Sequence, residues 1–237
     1  MSHPLVFIHG AGDSSRIWRF QLEQLGNTYP VYAIDLPGHG QRPDTLPPEA
    51  TSQQYAEAAY DVIQNELHLD HPIIAGHSLG GAIALSMALE HSPALHGLIL
   101  IGTGARIRVH PSLLESARTT PQAARDQLVR MGFTPNAATT LSQSVLNEQT
   151  ALPSNMLYRD LMACNSFDCM NRLHQITLPT LIICGTDDRA TPVKYSQYLH
   201  DHLAGSTLHI IPDAGHYVLR EQPEAVNQAI REWLEHL

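Results

Sequence analysis

The stretch Ile73-Ile74-Ala75-Gly76-His77-Ser78-Leu79-Gly80-Gly81 decides how this chain folds. Its first three residues form a short apolar run, and Ala82 to Glu90 reads as a helix. The pattern is strand, tight turn, helix, with a serine inside a Gly-x-Ser-x-Gly turn. The flanking glycines remove Cβ atoms that would clash, and the turn pushes the Ser78 side chain up from the sheet. The following helix aims its N-terminus at the same point, which favours developing negative charge. The Leu79 N–H is then placed to donate to an oxyanion.

Outward from this turn, short apolar runs alternate with helical stretches, the pattern of βαβ units and a parallel sheet. Candidate strands are Leu5–Ile8, Val31–Ile34, Ile73–Ala75, Gly97–Ile101, Thr180–Cys184 and Thr207–Ile211. Their lack of polar alternation fits strands buried on both faces. Thr51-Ser52-Gln53-Gln54 reads as a capping box, followed by Tyr55, Ala59, Val62, Ile63 and Leu67 at helical spacing. Thr191 with Pro192, and Gln222 with Pro223, read as two further helix starts. Between Ile101 and Thr180 no convincing strand occurs, only short helical pieces punctuated by Pro111, Pro121, Pro135 and Pro153. A parallel crossover needs far fewer residues, so 105–172 is expected to be an inserted helical cap, with 1–104 and 173–237 forming the core domain. Its apolar residues, among them Leu128, Met131, Phe133 and Phe167, would pack the cap or wall a pocket.

A serine hydroxyl needs a base, and the base needs a carboxylate to orient it. The last two strands lead into Gly185-Thr186-Asp187-Asp188 and Pro212-Asp213-Ala214-Gly215-His216. Reactive groups of open α/β sheets gather at the carboxyl ends of strands, so these loops converge on Ser78. The chain order Ser, Asp, His suits the arrangement.

With His9-Gly10-Ala11-Gly12 and Asp35-Leu36-Pro37-Gly38-His39-Gly40 added, these motifs span nearly the whole chain, which resembles the α/β-hydrolase superfamily in its capped carboxylesterase-like members. The resemblance implies an α/β-hydrolase fold with about six mostly parallel strands. It implies Ser78 as nucleophile, His216 as base and Asp188, three residues after Gly185, as acid, with Asp187 a rival. It implies oxyanion donors at the Ala11 and Leu79 N–H groups. Asp35 reads as a structural turn residue, and Asp213 as shaping the loop ahead of His216. His9 and His77 read as supports of the two turns. Trp18 is expected either to line the pocket or to pack on the first helix. Phe133, Phe167 and Tyr217 are further candidates for the substrate pocket. The chain starts almost directly at its first strand, as in the plant methylesterase and hydroxynitrile-lyase branch. That branch's lyases have Thr where this chain has Ala11 and Lys where it has Tyr217, which disfavours lyase chemistry. Ser rather than Asp at position 78 disfavours dehalogenase and epoxide hydrolase chemistry.

The composition fits this reading. The 237 residues suit one domain; 43% are hydrophobic and 16% charged, which excludes disorder and coiled coil. The formal charge of −9, without a Lys/Arg cluster, excludes a nucleic-acid partner. The apolar runs are too short for a signal peptide or a membrane span. Three cysteines without metal spacing point to a reducing cytoplasm. Fifteen histidines are present, yet the pairs His68/His71 and His200/His202 lack supporting metal ligands. The expected activity is serine hydrolysis of a small or medium carboxylic ester, with no metal or organic cofactor. A lactone, thioester or carbon–carbon bond cut by the same triad, or a ligand receptor on this scaffold, are the alternatives.

Overall fold

The computed structural model describes residues 3–148, 153 and 155–237. Six strands, β1 (Leu5–Ile8), β2 (Val31–Ile34), β3 (Ile73–His77), β4 (Gly97–Ile101), β5 (Thr180–Gly185) and β6 (Thr207–Ile211), form one sheet in the order β2-β1-β3-β4-β5-β6. Every pairing is parallel. Ten α-helices accompany it among the described residues. They are α1 (Arg19–Leu25), α2 (Ser52–Asp61), α3 (Leu79–His91), α4 (Pro111–Thr119), α5 (Pro121–Gly132), α6 (Ala138–Glu148), α7 (Met156–Ser166), α8 (Val193–His202), α9 (Val218–Glu221) and α10 (Pro223–Leu234).

Alternate residues of each inner strand feed two cores. Val6 and Ile8 of β1 join α2 and α3 on one face, while Leu5 and Phe7 join α1 and α10 on the other. The inner strands β1, β3, β4 and β5 are buried throughout. The edge strands differ from the expectation of two buried faces: β2 is half-buried, and β6 leaves Ile210 exposed, because an edge has a neighbour on one side only.

The capping box at the start of α2 forms as read. Gln54 N–H donates to Thr51 Oγ1, and Thr51 N–H donates to Gln54 Oε1. The last helix opens at Pro223. The helix expected to be capped by Thr191 begins instead at Val193, after Pro192, and makes no side-chain cap; Thr191 is committed to the site described below. The segment joining β4 to β5 carries α4, α5, α6 and α7. An antiparallel bridge between Arg106 and Asp168 pins its two ends together. The expected cap limits, 105 and 172, bracket this bridge, and residues 149–152 and 154 of that range lie outside the described ones.

Candidate active site

Ser78 sits between β3 and α3 with φ +54° and ψ −113°, a conformation L residues rarely hold. Crowding enforces it. A Cβ on Gly76 would fall 2.1 Å from the Gly80 carbonyl oxygen, and one on Gly80 would fall 2.2 Å from that of Ile8. The turn is anchored by Ser78 N–H, which donates to the Ile101 carbonyl at 3.0 Å, and by Thr103 Oγ1, which donates to the Ser78 carbonyl at 2.9 Å. Among the described residues Ser78 Oγ has no hydrogen-bond partner; it opens onto a cavity of about 200 Å³.

His216, from the loop after β6, lines the same cavity. Its Nδ1–H donates to Asp188 Oδ2 at 2.9 Å, which leaves Nε2 free for the cavity side. Asp188 is buried, and its carboxylate is held on several sides. Oδ1 accepts the N–H groups of Ala190 and Thr191 at 2.9 and 2.8 Å, and Oδ2 accepts Thr191 Oγ1 at 2.9 Å. Burial opposes charge on both partners. The neighbouring His216 and the Thr191 donors nevertheless hold the Asp188 carboxyl below its ordinary range, and Asp188 with Asp13 holds His216 above its ordinary 6.5. The rival Asp187 is exposed and accepts from Thr186 Oγ1, and Asp213 is exposed at φ +54°.

The first loop comes close to the serine: a Cβ on Gly10 would lie 3.3 Å from Ser78 Cβ. Ala11 lines the cavity, and Leu79 is the first residue of α3. Four of the fifteen histidines are buried, namely His9, His39, His77 and His216. His9 accepts Leu36 N–H at Nε2 and donates from Nδ1 to the Gly10 carbonyl at 2.8 Å. Burial, with His39 nearby, pushes its pKa down to about 4. His77 donates from Nε2 to the His216 carbonyl at 3.0 Å, and burial, then the nearby His216, pushes it down to about 3. Both are therefore neutral supports of the loops they touch. Glu221, unforeseen from the sequence, accepts Gly215 N–H at 2.7 Å and Thr134 Oγ1 at 2.7 Å, joining the His216 loop to the segment after α5.

Tyr217 lines the cavity, but three expected pocket residues do not. Trp18 is fully buried and packs on Phe7 with ring centroids 4.8 Å apart. Phe133 stacks behind Tyr217 at 4.8 Å, and Phe167 belongs to the core that includes α2 and α3. Each large aromatic gains more from a dry core than from a solvated wall. The wall is instead aliphatic, with Ile107, Val109, Leu113, Leu128 and Leu161, while Arg108 and Arg189 stand at its edge. Asp13, whose carboxylate accepts Tyr217 Oη at 3.3 Å, also lines it. All three cysteines are free and buried. Among the described residues no group of three His, Cys, Asp or Glu side chains could hold a metal ion, and no helix is long and apolar enough to cross a membrane.

A model of the alpha/beta hydrolase family matches residues 5–229. A pimeloyl-[acyl-carrier protein] methyl ester esterase of Neisseria meningitidis is 28% identical over 98% of this chain and 93% of its own. A thermophilic esterase from Thermogutta terrifontis superposes with a TM-score of 0.87 at 26% identity, over 100% of this chain and 90% of the other. An enol-lactonase from Burkholderia xenovorans LB400 shares the fold, with a TM-score of 0.90 at 21% identity over 99% and 92% of the two chains.

Proposed function

The chain belongs to the alpha/beta hydrolase family, and on that premise we propose that it is a serine esterase cleaving small-to-medium carboxylic esters through an acyl-enzyme on Ser78. The observation that carries this reading is the convergence of Ser78 and the Asp188–His216 pair on one aliphatic cavity. His216 Nε2 takes the proton of Ser78 Oγ as the oxygen attacks the ester carbonyl, in a bond that tightens once substrate is bound. Asp188 fixes the imidazole tautomer and stabilises its charged form. The Ala11 and Leu79 N–H groups receive the tetrahedral oxyanion, each contributing on the order of 3 kcal/mol. The alcohol leaves with the proton from His216, and water, deprotonated by the same imidazole, releases the acid. Helices α4 to α7 serve as the lid, and the steps call on no metal or organic cofactor. Hydrolysis of p-nitrophenyl butyrate tests the reading directly. Ser78→Ala should lose at least about 10³-fold in kcat and all labelling by a fluorophosphonate; activity persisting in that variant would sink the mechanism.

One observation favours a larger ester as the natural substrate. Arg189 is exposed at the cavity edge and has no carboxylate partner among the described residues, and Arg108 stands beside the same cavity. An ester borne on an acyl carrier protein, the substrate in the meningococcal relative's name, would leave its carrier at this mouth, where guanidinium groups suit an anionic surface. A carrier-linked methyl ester should then show a KM below that of the free methyl ester, and Arg189→Gln should erase the difference. Equal KM values for the two esters would discard the larger substrate and leave the esterase reading intact.

A further inference from the structure

The peptide group that presents Ala11 N–H is fixed at both ends. Its carbonyl, that of Gly10, accepts His9 Nδ1–H at 2.8 Å and Asp13 N–H at 3.2 Å. The next N–H along, that of Gly12, donates to Asp160 Oδ2 at 2.9 Å. Asp160 is distant in sequence, on α7 of the segment between β4 and β5, and is completely buried. The same oxygen accepts His39 Nε2–H at 2.8 Å, and Oδ1 accepts Tyr55 Oη–H at 2.5 Å. Tyr55 Oη in turn accepts Arg159 Nε–H at 2.9 Å. A second His39 bond, from Nδ1 to the Pro37 carbonyl at 3.2 Å, makes both ring nitrogens donors, so His39 is an imidazolium facing the carboxylate.

This arrangement holds more than helix packing requires. Gly12 lies at φ +72°, a region glycine enters and leaves freely, so its own backbone does not lock the loop and the Asp160 bond supplies the constraint. A lone carboxylate next to an oxyanion site would oppose the charge that develops there, and the adjacent His39 cation cancels it. We propose that Asp160 is a positioning residue for the oxyanion hole, holding Gly12 N–H so that Ala11 N–H meets the developing oxyanion. The inference rests on the esterase reading above. It makes the seating of α7 a condition of catalysis, because the helix that roofs part of the cavity also sets the donor below it.

The experiment compares Asp160→Ala and Asp160→Asn with the unaltered protein, using p-nitrophenyl butyrate and a trifluoromethyl ketone inhibitor. Near-ultraviolet circular dichroism checks that each variant is folded. Asp160→Ala should lower kcat about 10- to 100-fold with KM within about 3-fold, the scale of a displaced catalytic group. The inhibitor Ki should rise by the factor by which kcat/KM falls, since both read the tetrahedral state. Asp160→Asn, which keeps an acceptor for Gly12 N–H, should fall between the other two. Unchanged kcat in a folded variant, a loss confined to KM, or a Ki that does not track kcat/KM would overturn the proposal. Should Asp160→Ala not fold, Asp160→Leu, which fills the space without an acceptor, decides instead, and a kcat equal to that of the unaltered protein rejects the proposal. Ser78→Ala separates the two readings: inactivity there, with unaffected Asp160 variants, removes this inference only.

Discussion

His216 faces two carboxylates of different standing. Asp188 holds its Nδ1, while Asp13 reaches the cavity from the opposite loop and is tied to Tyr217. Both raise the imidazole above its ordinary 6.5 against the opposing effect of burial, and His77 beside it is neutral. If His216 is the base proposed above, it must be unprotonated to act, so kcat/KM should fall on the acid side with a midpoint above pH 6.5. Asp13→Asn removes one of the two supports and should move that limb to lower pH; a pH–rate profile of p-nitrophenyl butyrate hydrolysis reads it. A limb that stays in place would show that Asp13 does not act on His216. At this scale the sequence was legible wherever a residue belonged to a short motif. Gly185 to Asp188 and Gly215-His216 predicted a carboxylate and an imidazole in adjacent loops, and these meet at 2.9 Å. Trp18 was not legible, because the side of a loop that an aromatic faces depends on packing far away in sequence. Asp160 had a faint signal: it lies on the same helical face as Met156, Leu157, Leu161 and Cys164, a charge inside an apolar stripe.

At the scale of elements, the turn between β3 and α3 depends on close backbone contact. Gly80 brings the start of α3 against the end of β1, with no room for a methyl group beside the Ile8 carbonyl. Gly80→Ala should therefore destabilise the protein by about 2–3 kcal/mol, read as a lower urea midpoint. Gly205→Ala is the contrast: unlike Gly80, Gly205 sits at positive φ, +73°, but with nothing within 4 Å, and should cost only about 1 kcal/mol. A loss at Gly80 no larger than that at Gly205 would mean that crowding beside the Ile8 carbonyl does not govern the turn. Strand positions were readable because buried parallel strands are written as unbroken apolar runs. The misread cap at Thr191 has the same physical root as its true role. A threonine ahead of a proline offers a hydroxyl and an N–H to whatever acceptor is nearest, and the nearest is Asp188.

Over the whole molecule, buried ion pairs and buried hydrogen bonds join the helical segment to the rest. His39 is raised above its ordinary 6.5, because Asp160 outweighs the burial that opposes its charge. The stability this supplies is complete below pH 6.5 and is lost as pH rises through the raised value. Asp160 is held below 3.8, with His39, the Tyr55 hydroxyl and Gly12 N–H together outweighing burial, so its share is present above pH 3.8 and is lost as pH falls through the lower value. Thermal midpoints should thus decline on the alkaline side above pH 6.5. In His39→Gln that decline should flatten, with the midpoint lower throughout, since breaking a buried pair costs about 3 kcal/mol or more. An alkaline decline of the same size in both proteins would exclude His39 as its source.

Because β4 and β5 are neighbours in the sheet, the segment between them leaves and returns at almost the same place, and the bridge from Arg106 to Asp168 closes its neck. A segment with such a neck is expected to be exchangeable as a unit. Another insertion with the same neck spacing could be spliced in, given a helix that offers an acid to Gly12 and a base to Asp44, as Asp160 and Arg159 do here. The aliphatic wall at Ile107, Val109 and Leu113 is separate from those two residues, so an engineer could randomise it to change substrate range without unseating the roof.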